Sequence, residues 1–222
     1  MANESQESKM TMLARDFHSK SRRQGHTTWQ ELRSVGQQMA KEMDLDFIGN
    51  GQECVVVSYK GEERFVTAFA YRDISPEKAK GVFHAQRILS TIFPHNFPRF
   101  KASFHSTETT SGGTVREKVI EEVKTPKFPF TEKIQKTLEA NGINVWFDTA
   151  QINFLTGVDG GEYYVDITHL SHWGWDKEKA LKYMDNNLRQ DGVPFTKSDK
   201  QIVESSLDQL KTLGVFEGKH DF

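Results

Sequence analysis

Apolar residues recur at helical spacing in "TTWQELRSVGQQMAKEM", at Trp29, Leu32, Val35, Met39 and Met43. That period predicts a helix near 28–43, and Thr28 with Glu31 three positions on supplies a capping-box start. The pattern then changes. Residues 54–59 ("CVVVSY") and 64–72 ("RFVTAFAYR") are rich in Val, Phe and Tyr, and "YKGEER" joins them as a hairpin turn would. "IGNGQE" just before them reads as a glycine-containing turn, so two or three antiparallel strands are expected here. Ser75 as cap and Pro76 at the first helical position open the next element. Its apolar stripe, Val82, Ala85, Leu89 and Ile92 or Phe93, predicts a helix over 76–93.

"FPRFKASF" (97–104) and "VREKVIEEV" (115–123) read as two further strands, linked by "HSTETTSGG" as a loop. A helix begins near Thr131, with Phe130, Ile134 and Leu138 in line, and stops at Asn141-Gly142. "INVWF", "INFL" and "EYYVDI" are short strand-like runs, and "TGVDGG" joins the last two as a turn. Two helices close the chain, near 176–189 and 198–213. Strands thus dominate the first half and helices the second, which predicts an α+β protein of two lobes. No internal repeat and no low-complexity segment interrupts this order.

Composition narrows the function classes. The chain has 222 residues, enough to bury a core, with 36% hydrophobic and 27% charged residues and 16 Phe. A net charge of −2 gives no electrostatic footprint for nucleic acid or an anionic membrane. Cys54 is the single cysteine, so neither a disulfide framework nor a thiolate metal cluster is expected. "MANESQESKM" has no apolar signal region, and no run approaches a membrane span, so a cytoplasmic location is the expectation. Residues 1–26 are polar and mixed in charge and read as a flexible arm or a frayed helix.

Three polar residues stand out in the second half: Asp148, Asn153 and Asp166, each in an otherwise apolar or turn-forming stretch. As residue types they have two readings, turn capping or convergence on a metal. A different metal set, Asp166, His169 and His172, recurs every three residues and would suit zinc or iron on a helix. The alternative for those histidines is solvation, or packing beside Trp173 and Trp175.

The order of elements with these residues resembles the protein-kinase-like superfamily in a shortened form. "FDTAQIN" stands where the family has "HRDLKPEN", and "EYYVDIT" where it has the "DFG" aspartate. "IGNGQECVVV" resembles the glycine-rich loop, and "FAYR" resembles "VAIK". The resemblance implies a two-lobed fold with an antiparallel β-sheet N-lobe and a reduced helical C-lobe. Residues 1–45 would be an N-terminal arm and helix, 46–124 the N-lobe and 125–222 the C-lobe. It further implies ATP and Mg²⁺ as cofactors, with Asp148 as catalytic base and Asn153 and Asp166 as metal ligands. Gly49, Gly51 and Arg72 would contact phosphates, and Gln86 would be the partner of Arg72.

Two departures from the family pattern bear on activity. Arg72 stands where the family has Lys, and Gln86 is the nearest candidate where it has Glu on the helix. Only 56 residues follow Asp166, with no "APE" segment and no full platform for a peptide. The implied function is therefore phosphotransfer to a small molecule or other non-peptide acceptor, as in lipopolysaccharide-type kinases. The alternative is a pseudokinase that binds partners without transferring phosphate. Residues 1–45 have no counterpart in the family core and are a candidate for a protein partner or a homo-oligomer contact.

Overall fold

A computed structural model describes residues 15, 19, 29–50, 54–70, 75–106, 111–118, 129–144, 154–156, 161–165 and 174–214. Among these are five helices, α1 (Trp29–Glu42), α2 (Pro76–Ile92), α3 (Pro129–Ala140), α4 (Lys177–Asn186) and α5 (Lys197–Leu213). A five-stranded antiparallel sheet is built from β1 (Leu45–Asn50), β2 (Cys54–Tyr59), β3 (Phe65–Ala70), β4 (Phe100–Ser106) and β5 (Ser111–Glu117). Its spatial order is β1-β2-β3-β5-β4. Two small antiparallel pairs complete the set: β6 (Ile143–Asn144) with β9 (Gly174–Trp175), and β7 (Phe154–Thr156) with β8 (Glu162–Tyr164). The protein is therefore mixed α+β, and no helix among the described residues is long and apolar enough to cross a membrane.

The chain divides into two compact units, residues 1–80 with 100–118 and residues 81–99 with 119–222. In the first unit α1 packs against the sheet. Val35, Met39 and Ala40 on its apolar stripe are buried in one cluster with Leu45, Val55, Val57, Phe69, Phe104 and Val115 of the sheet. A turn with Asp44 at φ 57 passes the chain from α1 to β1, a conformation that Asp tolerates better than most side chains. The Asp44 carboxylate accepts a hydrogen bond from Lys60.

Alternation assigns the two faces of the sheet. Phe69, Gly113 and Phe104 are cross-strand partners on the α1 side, and Phe69 meets Phe104 edge-on at 5.6 Å across the glycine. A Cβ on Gly113 would lie 2.1 Å from the Ala68 carbonyl oxygen and 2.6 Å from the Phe104 ring. No side chain fits there. This explains why "SGG", which reads as a turn by composition, is strand instead: the two rings close over a position that must be bare. "IGN" differs from expectation in the same way. Ile48 is the extra residue of a bulge between Phe47 and Gly49, and the run through Asn50 belongs to β1.

In the second unit the stripe of α2 continues as Val82, Ala85, Ile88, Leu89 and Ile92, all buried. An aromatic chain then runs Phe93–Phe97–Tyr164–Phe154, with ring centroids 6.1, 6.0 and 5.2 Å apart. Helix α3 buries Ile134 and Leu138 and ends at Gly142, whose φ of 70 needs a residue without Cβ strain. The Asp176 N–H donates to the Gly142 carbonyl at 2.7 Å, which joins the end of α3 to the start of α4 beside the β6–β9 pair. Asp176 caps α4 and Thr196 caps α5, the latter in a full capping box with Asp199. Lys177 on α4 reaches Asp208 at 2.8 Å and Glu204 at 3.1 Å on α5. Ala180, Met184, Val203, Leu207 and Leu210 are buried on these two helices. The short strand β9 was not anticipated, because two residues carry no readable period.

Two stability measurements follow. Gly113→Ala should cost about 2–3 kcal/mol in urea unfolding, the range of an overpacked core, whereas Gly49→Ala, where a Cβ meets nothing within 4 Å, should change stability by less than about 1 kcal/mol. Equal effects at both positions would contradict the close approach at Gly113. The second concerns pH. Arg189, at 2.5 Å from Asp191 and 3.5 Å from Asp199, holds the Asp191 carboxyl below its ordinary value. A lowered folded pKa contributes stability that is fully present above the unfolded carboxylate range and is lost as pH falls through the folded value. The difference in unfolding midpoint between the wild type and Asp191→Asn should therefore be constant near pH 7 and shrink below about pH 4.

Candidate functional site

Gly49 and Gln86 are the two sequence-predicted site residues that the structure describes; Gly51, Arg72, Asp148, Asn153 and Asp166 lie outside the described residues, as do His169 and His172. Gly49 sits in β1 directly after the bulge, opposite Val56. Its φ is not positive and its missing Cβ faces open space. Neither a turn nor a packing contact therefore requires glycine at this position. Asn50 follows it. Both polar atoms of its side-chain amide are buried without a hydrogen-bond partner, which is rare in folded proteins.

Gln86 is fully buried on α2. Its Nε2 donates to the Pro98 carbonyl at 3.2 Å, while its Oε1 accepts nothing. The side chain thus already serves as a clamp between α2 and the segment that leads into β4. An amide suits that task, because a carboxylate at this depth would lose the donor and bury a charge.

The hairpin β7–β8 matters most for the remaining residues. Phe154 pairs with Tyr164 and Thr156 with Glu162. Asn96 fastens this hairpin from the loop after α2: its Nδ2 donates to the Glu162 carbonyl at 2.9 Å, and its own carbonyl accepts from the Tyr164 N–H at 2.8 Å. Gln190 donates to the Asn96 Oδ1, so both ends of the buried amide are used. Sequence reasoning passed over Asn96. The available signal was an amide between Phe93 and Phe97 in "FPHNFPRF", a polar residue inside an aromatic run with prolines on both sides.

Among the described residues no group of three His, Cys, Asp or Glu side chains could hold a metal ion. In comparisons with known proteins, no family model matches the chain and no curated protein shows significant similarity to it.

Gln86→Glu tests the open acceptor. Placed alone at this depth, a carboxylate should destabilise the fold by about 3 kcal/mol or more, as an unpaired buried charge does. If Arg72 reaches it, the cost falls, and a double-mutant cycle with Arg72→Ala gives a coupling of about 1 kcal/mol or more. A coupling near zero separates the two residues.

Proposed function

We propose that the chain is an ATP- and Mg²⁺-dependent phosphotransferase with a two-lobed, kinase-like fold that acts on a small molecule or another non-peptide acceptor. One observation carries the reading, the register of the β7–β8 hairpin. Phe154 and Tyr164 are cross-strand partners; Asn153 is the residue before the first, and Asp166 is two residues after the second. Covalent reach alone keeps each within one or two Cα steps of about 3.8 Å from a paired position. An antiparallel pair is the device that brings two residues thirteen apart in sequence to one end of one hairpin. Amide and carboxylate oxygens are hard donors, the set that suits Mg²⁺ together with phosphate oxygens and water.

The N-terminal half supports the same reading. A strand containing Gly49, a return strand, a third strand followed in sequence by Arg72 and then a helix is the order in which kinases place the glycine-rich loop, the phosphate-contacting base and its helical partner. Asp148 would orient the attacking hydroxyl and accept its proton. Arg72 would contact the phosphates as a planar fork rather than a point donor. Mg²⁺ held by Asn153 and Asp166 would neutralise charge on the transferring phosphoryl group.

A second reading has its own observation. Gln86 is engaged with the Pro98 carbonyl and carries no charge, so the ion pair that organises an active kinase is replaced by a neutral clamp. That favours a pseudokinase, which would keep the nucleotide site and act through partners.

Isothermal titration of ATP, with and without Mg²⁺, on the wild type and Asp166→Asn separates the readings. Phosphotransfer predicts binding that requires Mg²⁺ and is weakened at least about tenfold by the substitution, the loss of one charge-assisted contact. Binding that ignores both the metal and the substitution supports the pseudokinase. Absence of nucleotide binding would leave Asp148, Asn153 and Asp166 as turn-forming residues and would overturn both.

A further inference from the structure

The face of the sheet opposite α1 carries a buried cation that forms no salt bridge with a carboxylate among the described residues. Arg116 lies on β5, with Val66 of β3 and Phe100 of β4 as its cross-strand partners. It is 7% exposed. A guanidinium has five N–H donors, yet the bond recorded for Arg116 is one from Nη1 to the Glu117 carbonyl at 3.5 Å, the outer limit of a hydrogen bond. No salt bridge joins it to any carboxylate among the described residues. Burial lowers its pKa from the ordinary arginine value to about 10, which still leaves it charged at neutral pH. Buried arginines are as a rule paired, because an isolated charge removed from water is strongly unfavourable.

The neighbouring cross-strand row on the same face consists of Gly49, Val56, Ala68, Thr114 and Ser103. Beyond that row, at the start of β2, is Cys54. Thr114 and Ser103 add hydroxyl donors, and none of the groups in that row is acidic. A planar, always-charged fork is the side chain that recognises a phosphate-class oxyanion through two parallel N–H···O bonds, and the neighbouring row on the same face carries the Thr114 and Ser103 hydroxyls.

We propose that Arg116 is an oxyanion-binding residue, and that this face of the sheet takes a phosphate or pyrophosphate group. The site does not depend on Asp148, Asn153 or Asp166, and it needs neither metal nor phosphoryl transfer. If the chain binds a nucleotide, Arg116 is a phosphate contact additional to Arg72; if it does not, the anion site stands by itself.

The test uses inorganic pyrophosphate without Mg²⁺, so its outcome is separate from that of the ATP titration. Pyrophosphate should bind the wild type in calorimetry and raise its melting temperature above that in sodium chloride of equal ionic strength. Arg116→Met keeps the length and removes the charge. It should weaken binding by about ten- to a hundredfold, the worth of charge-assisted hydrogen bonds, while melting at or above the wild-type temperature, since an unpaired buried charge is gone. Arg116→Lys, which keeps the charge but not the fork, should retain part of the affinity. Pyrophosphate that neither binds nor stabilises the wild type would overturn the proposal. So would an affinity unchanged in Arg116→Met. Should Arg116→Met fail to fold, the wild-type melting shift and Arg116→Lys still decide the matter.

Discussion

Two backbones come so close at Gly113 that a methyl group has no place between them. That constraint organises the first unit. β5 lies between β3 and β4, and Gly113 is the partner of Phe69 on one side and Phe104 on the other. With no side chain of its own there, the strand lets the two rings meet across it at 5.6 Å. The paired rings then join Val115, Val55 and Val57 in a single apolar surface, and α1 covers it with Val35, Met39 and Ala40. Any Cβ at residue 113 would push the rings apart or separate the strands. Buried aromatic area is among the largest single contributions to a small core, so the helix depends on an absent side chain three strands into the sheet.

The second unit relies on a polar device. A two-stranded hairpin of three residues a side is marginal by itself. β7–β8 persists because Phe154 and Tyr164 extend the aromatic chain from Phe93 and Phe97, and because Asn96 satisfies the Glu162 carbonyl and the Tyr164 N–H. Amide bonding of this kind contributes modestly in net terms, but leaving the same groups unpaired in a buried place is costly. The asymmetry fixes one geometry for the hairpin.

The two polar anomalies, Gln86 and Arg116, contrast instructively. Gln86 is neutral, satisfies one of its two polar atoms through Pro98 and leaves the other open. Arg116 is charged and has a single weak bond. A buried amide with one free lone pair is a small debt in a folded protein, whereas a buried cation without a carboxylate is not. The second therefore points outward to a ligand more strongly than the first.

Long, strongly patterned elements were legible in the sequence. All five described helices follow from apolar residues at helical spacing, with Ser75 and Pro76 at the start of α2, and β2 and β3 follow from dense Val and Phe runs around a turn at Gly61. These features are local: period, cap and turn act within a few residues, so one sequence suffices to read them. Gly112-Gly113 and "IGN" were misread as turns because glycine has two opposite uses, freedom of φ and absence of volume, and composition does not distinguish them. Gly49 and Gln86 were legible as candidates, but not the open space at one or the Pro98 bond at the other. Asn96 and Arg116 were not legible at all. The partners of Asn96 lie 66 and 94 residues away, and Arg116 is notable for forming no salt bridge with a carboxylate among the described residues. The sequence by itself determined where the chain turns, winds and extends. Only the tertiary structure decided which polar groups are buried together and which are buried alone, because that depends on contacts between segments remote along the chain.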